Sequence, residues 1–158
     1  MLRLSKITDY GMLLMSHLAA SEQPVWKANG LSLATGVPAP TVSKVLQSLL
    51  NKNLLVSQRG AQGGYRLARQ PSAITVKEVV DALEGEIALT ECNSDHSQCD
   101  QQHDCALRGN WQRINEAMRT LLNSITLADM AGEDFQPRFV HQPTIHHHHT
   151  TPIYLEES

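Results

Sequence analysis

Apolar positions along this chain fall into helical stripes separated by short breaks, with one strand-like interval in the middle. Residues 7–20 place Ile7, Tyr10, Leu14 and Leu18 at helical spacing with Met15 beside them, predicting an amphipathic helix that Gln23-Pro24 breaks. A short helix over about 28–35 turns Leu31 and Ala34 inward and ends at Gly36, although Gly30 suits it poorly. The clearest stripe follows. Pro38-Ala39-Pro40 opens a helix, Pro40 suiting the first helical position because its missing N–H has no helical partner there. Val42, Val45, Leu46, Leu49 and Leu50 then recur at i, i+3, i+4, i+7 and i+8, and Asn51-Lys52-Asn53 ends the run.

The pattern then changes period. Residues 54–59 read as a strand, 60–64 (Gly-Ala-Gln-Gly-Gly) as a turn and 65–68 as the return strand, closed by Pro71. Thr75-Val76-Lys77-Glu78 is a capping box for a helix that buries Val76, Val79, Val80 and Leu83 and stops at Gly85. Residues 88–106 have little periodicity. Near Cys105 a last long helix begins, with Trp111, Ile114, Met118, Leu121 and Ile125 spaced 3, 4, 3 and 4 apart, a heptad seam that could pack against its own domain but whose regularity favours pairing with a second helix. Thr126-Leu127-Ala128-Asp129 reads as a second capped turn, and beyond Gly132 the chain gathers Pro, Gln, His and Thr without periodicity.

Helix, short turn, helix and Gly-rich hairpin is winged-helix order. The expected fold is mainly α, an α+β chain with a small wing hairpin: a winged helix-turn-helix with a long C-terminal dimerisation helix. The 158 residues divide into a winged-helix DNA-binding domain over 1–70, a cysteine loop and dimerisation helix over 71–131, and a disordered tail over 132–158. No stretch approaches a membrane span or a signal peptide, so a cytoplasmic protein without a membrane partner is expected.

Charge sharpens this picture. The net charge of −3 conceals eight Lys or Arg against two acids, Asp9 and Glu22, in residues 1–70, and five against fourteen in residues 71–158. A basic front half is the electrostatic footprint of a nucleic-acid-binding module. The polar face of the third helix holds Thr41, Ser43, Lys44, Gln47 and Ser48 and no acid, unlike an ordinary solvated helix face. Thr41, Ser43, Lys44 and Gln47 are therefore the candidates for the major groove of double-stranded promoter DNA, with Lys44 on phosphate. Arg59, Gln62, Gly63, Gly64 and Tyr65 are the candidates at the wing, its glycines permitting close approach to DNA, with Arg66 and Arg69 nearby. The chain shows no glycine motif for a nucleotide, no paired acid and base and no small-molecule substrate signature, which argues against an enzyme.

Cys92, Cys99 and Cys105 are an odd number within fourteen residues, unlike the even framework of a secreted disulfide protein. Thiolates suit zinc, copper(I) and iron–sulfur clusters. Zinc sites favour tight pairs two to four residues apart. The wider gaps here favour a cluster, with a zinc-stabilised interaction module and a thiol switch as alternatives. Three thiolates leave a cluster at least one ligand short; His96, His103, Glu91, Asp95, Asp100 and Asp104 are local candidates. Acids around an exposed cluster lower its potential, which suits a sensor. The run His146–His149 is read as an adventitious metal binder or as having no role.

Thr8-Asp9-Tyr10-Gly11, the wing Arg59-Gly60-Ala61-Gln62-Gly63-Gly64-Tyr65-Arg66-Leu67 and the three-cysteine segment together resemble the bacterial Rrf-two-type transcriptional regulators over about residues 1–131. Within that family, Ala88-Leu89-Thr90-Glu91-Cys92 and Arg108–Asn115 are most similar to regulators of SUF iron–sulfur assembly. The resemblance implies a homodimeric repressor of palindromic promoters whose DNA affinity follows an iron–sulfur cluster. It implies, too, a choice of fourth ligand. Isc-type members, which hold a 2Fe–2S cluster, carry a histidine ligand three residues after the third cysteine, where this chain has Arg108, which stays protonated. Nitric-oxide-sensing Nsr-type members use an aspartate of the first helix, supplied by the partner, and Asp9 matches that position. The first cysteine gap is also one residue longer than in the Isc-type loop. The resemblance thus favours 4Fe–4S over 2Fe–2S, with Asp9 beside the three cysteines, and a nitric-oxide- or redox-sensing repressor as the alternative. Without a family, Asp9 reads as an early-helix carboxylate favoured by the helix dipole.

Overall fold

A computed structural model describes residues 4–90, 105–132 and 135. The elements run α1 (Lys6–Ala20), α2 (Ala28–Thr35), α3 (Ala39–Asn51), β1 (Leu55–Gln58), β2 (Gly64–Leu67), a single 3-10 turn (Pro71–Ala73), α4 (Val76–Glu84), α5 (Arg108–Ser124) and α6 (Leu127–Ala131). Among the described residues the fold is mostly helical with one two-stranded antiparallel sheet, as the alternation of periods predicts. Cys92, Cys99 and the tail with His146–His149 lie outside the described residues.

Local chemistry sets the boundaries. Ser5 caps α1 by accepting from the Thr8 N–H, and Thr75 and Thr126 each head a reciprocal capping box, with Glu78 and Asp129. Gly36, at φ 71°, closes α2 in the left-handed region that glycine enters at no steric cost. Helix α3 starts one residue earlier than expected, with Pro38 as its cap and Pro40 inside the first turn. In the hairpin, Leu55 pairs with Leu67, Val56 with Arg66, Ser57 with Tyr65 and Gln58 with Gly64, so the return strand also begins one residue early.

The core gathers Leu14, Met15 and Leu18 of α1, Leu31 of α2, Val42, Val45, Leu46 and Leu49 of α3, and Leu54 and Leu55 beside the hairpin. Ile74, Val79 and Leu127 belong to the same cluster. The buried cluster thus draws on both sides of residue 70. An antiparallel bridge explains the arrangement: Val76 N–H donates to the Ile125 carbonyl at 2.8 Å and Leu127 N–H to the Ile74 carbonyl at 2.8 Å. This bridge seats α6 against α1. It also places Ile125 just past the end of α5, so the seam on that helix runs from Trp111 to Leu121.

Candidate nucleic-acid interface and cysteine segment

Helix α3 separates its two faces cleanly. Val42, Val45, Leu46 and Leu49 are buried, whereas Ser43, Lys44 and Gln47 are exposed and Thr41 is half-buried. The Ser43 hydroxyl donates to the Ala39 carbonyl at 3.1 Å, and Gln47 Nε2 donates to Asn51 Oδ1 at 3.0 Å. Neither bond uses the whole side chain, so both keep capacity for a ligand. Lys44 makes no ion pair among the described residues.

At the wing, Arg59 and Gln62 are exposed at the turn. Gly63 and Gly64 have an intramolecular reason for their identity. A Cβ on Gly63 would overlap the Gln58 carbonyl oxygen, and one on Gly64 would overlap that of Trp26. The wing glycines thus let the chain's own backbone close. Tyr65 lies in the strand, half-buried, rather than at the tip: its N–H donates to the Trp26 carbonyl at 2.7 Å and its carbonyl accepts from Trp26 N–H at 2.9 Å. Trp26 thereby extends the hairpin by one bridge, and its Nε1–H donates to Ser21 Oγ at 2.9 Å.

Asp9 sits exposed in the first turn of α1, where a carboxylate is favoured by the helix dipole. Beside it, Thr8 is buried and donates its hydroxyl to Glu84 Oε1 at 2.6 Å, while the Ser5 N–H donates to the same oxygen at 2.6 Å. The hydrogen bonds from Thr8 and Ser5 hold the Glu84 carboxyl below the usual glutamate range. Glu84 is the last residue of α4, so the end of that helix is fastened to the start of α1.

From Gly85 the chain runs toward Cys92 along α5. The Leu89 N–H donates to Asn115 Oδ1 at 3.0 Å, and Glu86 pairs with Arg119. Asn115 is one of two buried polar residues among those described. Cys105, half-buried, accepts with its carbonyl from Arg108 N–H at 3.2 Å and leads directly into α5. Arg108 is the first residue of that helix. Both approaches to the cysteine segment are therefore anchored on one helix. Among the described residues no three His, Cys, Asp or Glu side chains converge; Asp9 stands in α1 and Cys105 just before α5. Along α5, Trp111, Ile114 and Leu121 remain 38, 49 and 37% exposed.

Glu84, Asn115 and Trp26 carry structural roles that periodicity does not reveal. Asn115 shares its helix face with Trp111 and Met118 as well as Gln112 and Arg119, and a lone Asn among such neighbours gives no signal of burial.

A paired helix with an acid-free outer face, followed by a bridged hairpin with exposed arginine, defines a winged-helix DNA-binding regulator. A family model described as "Iron-dependent Transcriptional regulator" matches residues 4–133, and the chain belongs to this Rrf2 family. It is 34% identical over 131 residues to protein rrf2 of Nitratidesulfovibrio vulgaris, spanning 82% of this chain and 87% of that one. The solved structure of CymR, the global cysteine regulator of Bacillus subtilis, superposes with a TM-score of 0.68 at 30% identity, over 83% of this chain and 97% of CymR. The structure of IscR from T. potens superposes with a TM-score of 0.61 at 30% identity, over 82% and 85%. The family consists of transcriptional regulators, so this chain is a regulator and not an enzyme. No helix among the described residues is long and apolar enough to cross a membrane.

Proposed function

We propose that the chain is a homodimeric, iron–sulfur-cluster-responsive repressor of cluster-assembly (SUF) genes. In this reading Thr41, Ser43, Lys44 and Gln47 enter the major groove, and Arg59, Gln62, Gly63, Gly64 and Tyr65 build the wing contact. Cys92, Cys99 and Cys105 hold the cluster, and Asp9 of the second protomer completes it. The supporting observation is mechanical. Leu89 and Cys105, either side of the cysteine segment, are both fixed to α5, while the helix that feeds this segment, α4, is fastened by Glu84 to the turn bearing Asp9.

The donor set fits such a cluster in its chemistry. Three soft thiolates suit iron, Arg108 has no lone pair to offer, and Asp9 is exposed and makes no ion pair among the described residues. Bound there, a cluster supplies a centre whose oxidation state or loss reports iron and oxidant supply. The protein's part is to order residues 85–90 against α5 and to present Asp9 from a rigid first turn. Trp111, Ile114, Met118 and Leu121 form the apolar stripe that pairs two copies of α5.

Anaerobic purification with iron and sulfide analysis, absorption and Mössbauer spectra of wild type and Asp9→Ala tests this. The expected result is a four-iron cluster that the variant loses or alters. A colourless protein with one zinc per chain overturns the cluster, and an unchanged cluster in Asp9→Ala removes Asp9 as ligand. CymR, described as a cysteine regulator and also solved in an oxidized form in Staphylococcus aureus, favours one second reading, a thiol switch on the same cysteines. Promoter binding by cluster-free protein that responds to oxidant alone selects that reading.

A further inference from the structure

We propose that the cleft between the first turns of α1 and α3 seats one phosphodiester of the DNA backbone, so that α1 as well as α3 and the wing holds DNA. The inference rests on the DNA-binding reading above and extends it to residues that reading does not use. The cleft, about 470 Å³, is lined by Lys6, Ile7 and Tyr10 of α1 and by Pro40, Thr41 and Lys44 of α3. It thus combines two ammonium groups from two helices, a phenol and a threonine hydroxyl, over an apolar floor. No carboxylate lines it.

The lysines are kept available. Neither Lys6 nor Lys44 pairs with an acid among the described residues, whereas Arg69, Lys77 and Arg119 pair with Glu78, Asp81 and Glu86. Lys6 Nζ instead lies 5.4 Å from the Tyr10 ring centroid, an attraction that restrains the ammonium at the cleft without neutralising it. The apolar floor strengthens attraction to an anion by excluding water beside it. Thr41 and Lys44 belong at once to the cleft and to the acid-free face of α3. An anion here is therefore continuous with whatever lies along that face, which selects the backbone of bound DNA. The same turn of α1 that brings Lys6 and Tyr10 to the cleft leaves Asp9 exposed, so strand contact and candidate cluster ligand share one helical turn.

The test is the salt dependence of full-length protein binding to a fluorescent random-sequence duplex long enough for two half-sites. Wild type, Lys6→Gln, Lys6→Arg and Lys77→Gln are compared by anisotropy. Each lost phosphate contact lowers the slope of log K against log salt by about 0.9. Lys6→Gln is expected to lower it by about that much per protomer, Lys6→Arg to restore it, and Lys77→Gln, which removes a charge from α4, to leave it unchanged. An unchanged slope in Lys6→Gln, or an equal fall in Lys77→Gln, overturns the seat while leaving DNA binding intact. Wild type that fails to bind the duplex even at low salt sinks the DNA-binding reading and the seat together. Inorganic phosphate, added at constant ionic strength, is expected to leave wild-type affinity unaltered; competition that Lys6→Gln abolishes would make this a free-phosphate site instead.

Discussion

The carboxylate of Glu84 accepts from the Thr8 hydroxyl and from the Ser5 N–H through one oxygen, each at 2.6 Å, and so completes the N-terminus of a helix 79 residues away from it. In the two local capping boxes the third helical residue, Glu78 or Asp129, takes the cap residue's N–H. In α1 that position is Thr8, which has no carboxylate, and α4 supplies one. Removing the charge by Glu84→Gln weakens two charge-assisted bonds. Solvent exposure discounts the loss to about 1 kcal/mol, measurable by urea unfolding near pH 7.

The same residue gives a pH signature. Its folded pKa is depressed, first by the Thr8 bond and then by Ser5, so its stabilisation is present above the unfolded glutamate value and is lost as pH falls through the folded one. Glu78 behaves alike: burial raises its pKa, but bonds from Thr75 and Arg69 outweigh that and lower it. Thermal melts should therefore lose stability on acidification from about pH 4.5 downward, and Glu84→Gln should flatten that limb. A limb of equal steepness in the variant would show that Glu84 does not contribute.

Asn115→Ala leaves the Leu89 N–H without its acceptor, at a cost of about 1–3 kcal/mol. On the proposed function it should also release the approach to Cys92, giving lower iron retention after anaerobic reconstitution. Asn115→Asp keeps an acceptor oxygen and should retain more iron than Ala. Equal retention in wild type and both variants would separate this bond from cluster binding.

Gly64→Ala sets a methyl against the Trp26 carbonyl oxygen, which is backbone and cannot rotate aside. The bridge must open, at a cost of about 2 kcal/mol or more. Trp26, whose ring also meets His17 edge-on at 4.7 Å, should report the change by fluorescence. Unaltered emission and stability would mean the wing tolerates the displacement.

Much of this architecture is legible in the chain because its determinants are local. The stripe of α3, the boxes at Thr75 and Thr126 and the stop at Gly36 depend on neighbours within a few residues. Helix α1 shows where such reasoning ends. Periodicity places Ile7 and Tyr10 inward, yet Thr8 and Gly11 are the buried residues of its first turns, while Ile7 and Tyr10 only flank the core. The cause is the approach of α4, which brings Leu83 onto Gly11 and Glu84 onto Thr8, a tertiary event no single-helix pattern contains. The spacing of Cys92, Cys99 and Cys105 rests on sequence, since two of the three lie outside the described residues.

Gly11 makes that approach testable. A Cβ there overlaps Leu83 Cδ1, the movable end of a half-buried side chain. Gly11→Ala alone should destabilise by about 1 kcal/mol as overpacking exceeds the gain in helix propensity. In a Leu83→Ala background the same substitution should stabilise by up to about 1 kcal/mol, because only the propensity remains. Additive effects in this cycle would show that the two residues do not meet.

Leu127, the first residue of α6 and fully buried beside α1, makes the segment just past the long helix a plug for the front half of the chain. A fragment cut at 70 forfeits Ile74, Val79 and Leu127 and leaves open the apolar surface they cover. Only Ile125 and Thr126 separate α5 from Leu127, so the long helix ends beside a side chain seated in the core that supports α3.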